Sequence, residues 1–259
     1  MHKAKKSLGQ NFLQDESIIA NIVHQSGIKA DDDVIEIGPG LGALTRHILK
    51  ITQAIHVVEL DEDIILPLTA ACAMYGKLSI CQQDVLTVDF NTFYHGNKIK
   101  LIGNLPYNIS SPILFHLIKY AHLFKDMHFM LQKEVVDRVA APPSEKNYGR
   151  LSIMLQYHFK CEALFTVPAT AFHPKPKVES RILRLTPYSE LPFIAEDYTL
   201  FAKVVKQAFQ MRRKTLRNNL KELVPANELE NLPVDLNLRP ENLSVADFVK
   251  LSNHIGEAV

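Results

Sequence analysis

Cysteine is scarce in this chain, with only Cys72, Cys81 and Cys161 among 259 residues. The three are scattered, odd in number and without the short spacings of metal ligands, so we expect neither a disulfide framework nor a zinc site. Long apolar runs are missing as well, since no uninterrupted stretch approaches the roughly 18 residues that a membrane-spanning helix needs. Residues 1–6 carry three lysines and lead into no secretory apolar region. The sequence therefore predicts a cytoplasmic protein without a membrane partner.

The 11 histidines are not clustered as metal sites or catalytic triads require. The sequence contains no His-x-x-x-His or Cys-x-x-His spacing and no nucleophile-elbow motif, so we expect no metal and assign histidine no catalytic role. The composition, with 47% hydrophobic and 22% charged residues, is that of a globular protein. Its length allows one large domain and a smaller one.

Positive charge is unevenly distributed, although the net charge is only +1. Basic residues without acidic neighbours occur near the N-terminus and between residues 201 and 221, and a third basic group is interleaved with Phe172 and two prolines. Such basic and aromatic mixtures are typical of nucleic-acid-binding surfaces. If the fold brings the three groups to one side, we predict a phosphate-binding surface. Its residues would be Lys5, Lys6, Lys175, Lys177, Arg212, Arg213, Lys214 and Arg217.

Short apolar runs alternate with helical stretches through the first two thirds of the chain. The strand-like runs lie at residues 34–37, 55–60, 78–81, 99–102, 128–131, 163–167 and 180–185. This alternation predicts an α/β fold with a doubly wound, largely parallel sheet and helices on both faces. Strand-like runs end at the turn-rich segment 186–192, after which helical periodicity predominates. We therefore predict two domains, residues 1–187 with the sheet and residues 188–259 as a small all-helical domain.

A glycine-rich turn follows the first of these strands, where residues 36–44 read Glu-Ile-Gly-Pro-Gly-Leu-Gly-Ala-Leu. Gly38 and Gly40 allow the backbone to approach a nucleotide-like ligand closely. The pattern also fits NAD, but Pro39 removes a backbone donor that a pyrophosphate would need. S-adenosylmethionine (SAM) has no phosphate and does not need that donor, so the proline favours SAM over NAD.

Two acidic residues follow the next two strands. Glu59 ends the second strand, where an acid accepts hydrogen bonds from ribose hydroxyls, and Asp84 comes just after the third. Asp84 is placed to accept a hydrogen bond from the adenine amine of the cofactor. Either acid alone is also consistent with a surface or helix-capping role. Their positions at successive strand ends favour cofactor binding.

The tetrapeptide Asn-Leu-Pro-Tyr, residues 104–107, follows the apolar run 99–102. The Asn104 side-chain oxygen and a backbone carbonyl held by the following proline offer two acceptors for an exocyclic amine, and the Tyr107 ring offers a stacking face for a base. A strand followed by an ordinary turn is the alternative interpretation of the same four residues. We predict a nucleobase-amine site at this strand end.

Seven segments taken together resemble the ribosomal RNA adenine dimethyltransferase family, and in particular its bacterial small-subunit branch. They are residues 8–13, 36–45, 103–110, 131–135, 148–152, 172–180 and 212–217. The resemblance spans nearly the whole chain, and none of these motifs is broken. It implies a Rossmann-like SAM-dependent methyltransferase sheet with a helical C-terminal domain that binds RNA and the ribosome.

The implied activity is dimethylation, at N6, of two adjacent adenosines in the 3′-terminal hairpin of 16S rRNA, within the assembling 30S subunit and by a monomeric enzyme. The resemblance also implies site residues. The cofactor pocket would consist of Asn11, Leu13, Gly38, Gly40, Glu59, Asp84 and Asn104. Asn104 and the Leu105 carbonyl would accept the amine hydrogens of the target base, and Tyr107 and Phe172 would stack on its two faces. We expect Phe172 to escape deep burial because Pro-Lys-Pro-Lys follows closely.

Three other functions share parts of this pattern. A sister enzyme that dimethylates a 23S rRNA adenosine would use the same cofactor and a similar tetrapeptide to hold the target amine. Leu105 and the segment 212–217 favour the small-subunit enzyme. A non-catalytic ribosome-assembly or transcription factor on the same fold is a second alternative, against which Glu59, Asp84 and Asn104 argue. A DNA adenine methyltransferase is the third.

Overall fold

The structure is a computed structural model that describes Lys5, residues 10–211 and residues 213–257. It divides into two compact units, one formed by Met1–Val136 and Lys160–Pro187, the other by Asp137–Phe159 and Tyr188–Val259. One boundary between these units falls after residue 187, and residues 137–159 belong to the second unit. Among the described residues, no helix is long and apolar enough to cross a membrane.

The first unit is organised around a seven-stranded sheet. The strands of the chain are β1 (Phe12–Leu13), β2 (Asp33–Ile37), β3 (Ala54–Glu59), β4 (Lys77–Gln82), β5 (Ile99–Asn104), β6 (Phe124–Gln132), β7 (Phe159–Val167), β8 (Phe172–His173) and β9 (Ser180–Pro187). The sheet order is β4-β3-β2-β5-β6-β9-β7. The pairs from β4 to β6 are parallel, and β9 is antiparallel to β6. The predicted doubly wound, largely parallel sheet is confirmed.

The chain order reverses between β2 and β5, which is where open α/β sheets bind their ligands. Gly103 pairs with Ile37 at this point. A Cβ atom on Gly103 would lie 2.3 Å from the Ile37 carbonyl oxygen. Glycine therefore permits the two strands to approach closely at the edge where a ligand is expected.

Helices pack against the sheet of the first unit. They are α1 (Glu16–Ser26), α2 (Ala43–Thr52), α3 (Glu62–Cys72) and α4 (Ser110–Ile118), and α5 (Lys133–Val139) follows β6. Residues of α1, α2 and α3 share one buried cluster with Val57, Ile102 and Met130 of the sheet. Leu101 and Phe129 alternate with these strand residues and are buried on the opposite face,. Both faces of the sheet are therefore covered, as the apolar runs predict.

The second unit contains α6 (Arg150–His158), α7 (Tyr198–Ala208), α8 (Leu216–Leu220), α9 (Ala226–Leu229) and α10 (Val245–Glu257). The described residues from 188 onwards form no strand, in agreement with the predicted helical domain. Asp197 begins α7 by accepting hydrogen bonds from Thr199 N and Leu200 N at 2.7 and 3.0 Å,. The Tyr157 ring of α6 packs 4.8 Å from that of Phe201 in α7. This packing explains why residues 137–159 belong to the second unit. The sequence did not predict it, because helical periodicity does not indicate which helices will be neighbours.

Candidate active site

A cavity of about 520 Å³ opens at the carboxyl ends of β2, β3, β4 and β5, within the first unit. Its walls come from four turns that follow these strands, around residues 38–44, 59–60, 83–86 and 104–109, and from residues 10–14, which we call the strap. The strap includes β1, which pairs antiparallel with β8. Sequence periodicity predicted neither of these two-residue strands. All seven residues implied to bind the cofactor line this one cavity.

The turn between β2 and α2 forms one wall. Gly38 N donates to the Val58 carbonyl at 2.9 Å, which ties the turn to β3. Gly40 has a φ of 54°, a conformation that favours glycine. A Cβ atom there would also lie 3.0 Å from Phe12 Cδ1 of the strap. A larger residue at position 40 would therefore push the strap away from the cavity.

Two buried carboxyl groups lie beside this turn. Glu36 accepts a 2.6 Å hydrogen bond from Thr45 Oγ1, and burial raises its pKa to about 8. Glu59 accepts a 2.8 Å hydrogen bond from Asp61 N, and burial raises its pKa as well. Ionising either group without a partner is costly, so both favour a ligand that supplies hydrogen-bond donors or positive charge.

Asp84 begins the 3-10 turn that follows β4. Its Oδ1 accepts a hydrogen bond from Leu86 N at 2.9 Å. The residue is half-buried and lines the cavity. Asp84 therefore caps a turn, as one interpretation of the sequence expected, and that hydrogen bond occupies only one of its two carboxylate oxygens.

Asn104 ends β5, and its side chain is oriented by the strap. Its Nδ2 donates to the Asn11 carbonyl at 2.9 Å. The Leu105 backbone is fixed from the other side, because Leu105 N donates to the Met130 carbonyl at 3.1 Å. The Pro106 carbonyl accepts from Ile109 N and from Ser110 Oγ. Among the described residues no donor bonds Asn104 Oδ1 or the Leu105 carbonyl, so this wall offers two acceptors.

Tyr107 lies next to these acceptors and also lines the cavity. Its hydroxyl is 2.6 Å from Ser180 Oγ, at the start of β9. Burial raises the Tyr107 pKa, so the phenol stays neutral and keeps its hydrogen bond. This contact fixes the hydroxyl end of the Tyr107 ring at the cavity wall.

Phe172 does not lie where the sequence placed it. The expectation that it escapes burial is wrong: the residue is 4% exposed and belongs to the core cluster with Leu13 and Ile182. Its position in β8, paired with Leu13 of β1, carries the ring into the core. The two lysines after it, Lys175 and Lys177, are exposed. Phe172 is not among the residues that line the cavity.

Comparison with known proteins identifies the family. The model of the ribosomal RNA adenine dimethylase family matches residues 1–257 of this chain. The chain belongs to this family. It is also 54% identical, over 98% of both chains, to the ribosomal RNA small subunit methyltransferase A of Francisella tularensis subsp. novicida strain U112. Members of the ribosomal RNA adenine dimethylase family are methyltransferases, and this protein is therefore an enzyme of that class.

Two solved structures resemble the fold of this family member. A dimethyladenosine transferase from Plasmodium falciparum has a TM-score of 0.79 and 28% identity, with 93% of this chain and 95% of that chain covered. The 23S rRNA methyltransferase ErmE has a TM-score of 0.73 and 22% identity, with 95% and 100% covered. The second likeness shows a shared fold only.

The basic residues predicted to bind RNA in this ribosomal RNA adenine dimethylase differ in their surroundings. Lys5 Nζ lies 2.6 Å from both Asp61 Oδ1 and Asp63 Oδ2, and Arg217 forms an ion pair with Glu230. These two charges are already neutralised by carboxylates. Of the residues predicted to bind RNA, four are exposed and form no ion pair among the described residues: Lys175, Lys177, Arg213 and Lys214. Lys6 and Arg212 lie outside the described residues.

Sequence analysis missed three residues that shape the cavity. Glu36 is an acid inside the apolar strand Val-Ile-Glu-Ile, a signal that marks a buried functional carboxyl and was not used. Asp61 follows Glu59 by two residues, at the N-terminus of α3, where an acid is expected only as a cap. Ser180 carried no signal, because its contact with Tyr107 joins segments 73 residues apart.

Proposed function

We propose that this enzyme transfers methyl groups from SAM to N6 of adenosine in small-subunit ribosomal RNA and converts each target to N6,N6-dimethyladenosine. The proposed targets are two adjacent adenosines in the 3′-terminal hairpin of 16S rRNA, in the assembling 30S subunit. The observation that carries this proposal is the pair of acceptors at Asn104 and Leu105, in the same cavity as the glycine turn and Glu59.

The cavity fits SAM better than it fits NAD. The ionisable side chains that line it are Glu16, Glu36, Glu59, Asp84 and Arg46, so acids predominate, although burial raises the pKa of Glu36 and of Glu59. The acids that are ionised repel the pyrophosphate of NAD and attract a cofactor with a positively charged sulfur. Glu59 would accept hydrogen bonds from the ribose hydroxyls, and the second carboxylate oxygen of Asp84 from the adenine amine. The backbone from Gly38 to Gly40 would approach the methionine part of SAM.

The target adenine would enter on the side of Asn104 and Tyr107. SAM, when bound, supplies a methyl group attached to a positively charged sulfur. Asn104 Oδ1 and the Leu105 carbonyl would accept the two N6 hydrogens, which draws the nitrogen lone pair out of conjugation with the ring. Because Asn104 Nδ2 is held by the Asn11 carbonyl, the amide presents its oxygen without first having to reorient. Positioning by these acceptors takes the place of a strong base.

Tyr107 would stack on one face of the adenine. In nucleic-acid-binding proteins such a stack contributes about 1–3 kcal/mol per base, which offsets much of the cost of taking the base out of its RNA stack. Phe172 is buried, so the second stacking partner proposed from the resemblance would require the β1–β8 pair to open. We therefore assign stacking to Tyr107. Phe172 would contact the base only if the β1–β8 pair opens.

RNA would bind through the exposed basic side chains of both units, Lys175 and Lys177 in the first and Arg213 and Lys214 in the second. Each phosphate contact makes affinity fall as salt rises, so salt dependence approximates the number of contacts. We propose in addition that the enzyme is monomeric and cytoplasmic and uses no metal. Among the described residues there is no group of His, Cys, Asp or Glu placed to hold a metal ion.

The small-subunit assignment is favoured over the two rRNA-related alternatives. The relative that is 54% identical over 98% of both chains is named as a small-subunit methyltransferase, whereas the 23S enzyme is similar at 22% identity. A non-catalytic factor would not need the two acceptors at Asn104 and Leu105.

The test is to incubate the purified protein with labelled SAM and small subunits that lack methylation of the 3′ hairpin. Large-subunit RNA and duplex DNA serve as parallel substrates, and nuclease digestion with mass spectrometry maps the product. We expect dimethyladenosine at two adjacent hairpin positions. Methylation of large-subunit RNA alone, of DNA, or of nothing would overturn the proposal in favour of the 23S rRNA enzyme, a DNA methyltransferase or a binding factor, respectively.

A further inference from the structure

Asp61 is a buried acid that does not line the cavity. Its side chain is fully buried, yet it lies two residues after the proposed ribose ligand Glu59. Among the described residues, three donors lie on its two oxygens: Lys5 Nζ at 2.6 Å and Asp63 N at 3.2 Å on Oδ1, and Gln10 Nε2 at 2.8 Å on Oδ2. Although burial opposes ionisation, the hydrogen bonds from Lys5 and Gln10 hold the pKa of Asp61 below its usual value. The residue is therefore a charged anchor inside the protein.

The anchor holds the beginning of the strap. Gln10 is fixed at both ends of its amide, since its Oε1 accepts from Lys5 N at 2.8 Å while its Nε2 donates to Asp61. The next residue, Asn11, provides the carbonyl that orients the Asn104 amide. The far end of the strap is tied by Gln14 N, which donates to the Ala171 carbonyl at 2.8 Å. Asp61 thus fixes the end of the strap next to the residue that contacts Asn104.

We infer that Asp61 is a positioning residue for methyl transfer: through Gln10 and Lys5 it holds the strap where the Asn11 carbonyl fixes the Asn104 amide. The same residue also holds Glu59, because Asp61 N donates to Glu59 Oε1 at 2.8 Å. One residue outside the cavity therefore connects the proposed ribose ligand to the proposed amine acceptor. The inference rests on the proposed function for the role of Asn104, but the restraint of the strap is a property of the chain alone.

The donors around Asp61 suggest a substitution that changes little else. Asp61→Asn keeps the volume and keeps an acceptor for the α3 cap. It replaces Oδ2 by an NH2 group, which faces the Gln10 NH2, so that two donors meet and the link breaks. Gln10→Glu alone opposes two carboxylates and breaks the same link. The double variant Gln10→Glu with Asp61→Asn exchanges donor and acceptor and restores the link.

Asp63→Asn is the matched control. Asp63 contacts Lys5 at the same distance of 2.6 Å but is 59% exposed, so loss of its charge should leave the strap in place. The experiment measures hydrogen exchange at the Gln14 amide without ligand, and kcat for RNA methylation at saturating SAM, in the wild type and the four variants.

We expect roughly tenfold faster exchange, and a similar fall in kcat, in Asp61→Asn and in Gln10→Glu, the effect of weakening one charge-assisted hydrogen bond. The double variant should return to within about twofold of the wild type, which is strong non-additivity, and Asp63→Asn should match the wild type. If Asp61 only stabilised the fold, Asp61→Asn would lower stability, and adding Gln10→Glu would not restore the exchange rate and kcat.

Three outcomes would overturn the inference: wild-type exchange in Asp61→Asn, an equal effect of Asp63→Asn, or faster exchange without a fall in kcat. The proposed function fails separately. If the wild-type protein methylates none of the RNAs, the exchange rates of the single and double variants still decide whether Asp61 holds the strap.

Discussion

The cavity has one part that we propose holds SAM, the cofactor half, and one part that we propose holds the target adenine, the base half. The two parts differ in how far apart along the chain their hydrogen-bonded residues lie. In the cofactor half, the hydrogen bonds that hold Glu36, Glu59 and Asp84 join residues nine, two and two positions apart. In the base half, the bonds of Asn104 and Tyr107 join residues 93 and 73 positions apart. The cofactor half thus consists mainly of strand-to-helix turns, to which the strap adds Asn11 and Leu13, and the base half depends on the packing of distant segments.

This difference indicates where substitutions should act. A change in the cofactor half removes one ligand contact from a turn whose own backbone bonds remain. A change in the base half also disturbs the orientation of a neighbouring acceptor or ring, because each group there is held by a remote partner. Effects on SAM affinity and effects on methyl transfer should therefore separate between the two halves.

The largest effect is expected for Asn104→Ala, in the base half. Removing a preorganised acceptor from a reacting group typically costs about 10²–10³-fold in kcat, and RNA binding should change little. Single-turnover transfer from labelled SAM measures the loss. Asn97→Ala, at an exposed position, is the control, and near-wild-type turnover by Asn104→Ala would refute the role of the acceptor.

Glu59→Gln should act on the cofactor half alone. A hydrogen bond to a charged group contributes about 1.5–3 kcal/mol, so we expect the dissociation constant for SAM to rise roughly 10- to 100-fold. Calorimetric titration measures it, and kcat at saturating SAM should change much less. Glu62→Gln, three residues away and exposed, provides the comparison. Equal affinities for the two variants would contradict the assignment of Glu59 to the ribose.

Tyr107→Leu tests stacking in the base half. Loss of a stacking ring should raise the KM for RNA by roughly 5- to 100-fold, in line with about 1–3 kcal/mol per base. The KM for SAM should stay close to the wild-type value. Steady-state kinetics with RNA as the varied substrate gives the result, and an unchanged RNA KM would show that the ring does not contact the base.

The smallest effect is expected for Phe172→Leu. Because Phe172 is buried in the core, a hydrophobic replacement should cost less than about 1.5 kcal/mol of unfolding free energy. The RNA KM should remain within about twofold of the wild type. A rise equal to that of Tyr107→Leu would mean that the ring leaves the core to stack on the base, and that the β1–β8 pair opens.

The contrast between local and remote contacts also explains how much the sequence could predict. Strand periodicity predicted the sheet, and the glycine turn and the acids at the strand ends predicted residues that line the cavity, because short-range patterns encode both. The residues next to Phe172 in the sequence predicted an accessible ring. Its burial is determined by its pairing with Leu13, which lies far away along the chain. Lys5 and Arg217 likewise looked available for RNA, but their carboxylate partners Asp61 and Glu230 lie outside the basic segments.

The most direct test of the account is an experimental structure of the protein with S-adenosylhomocysteine, which occupies the site of SAM without the methyl group. We predict ribose hydroxyls on Glu59, the adenine amine on Asp84, and the sulfur on the side of the cavity formed by Asn104. A cofactor whose adenine lies against Tyr107, or one bound outside this cavity, would contradict the division into a cofactor half and a base half.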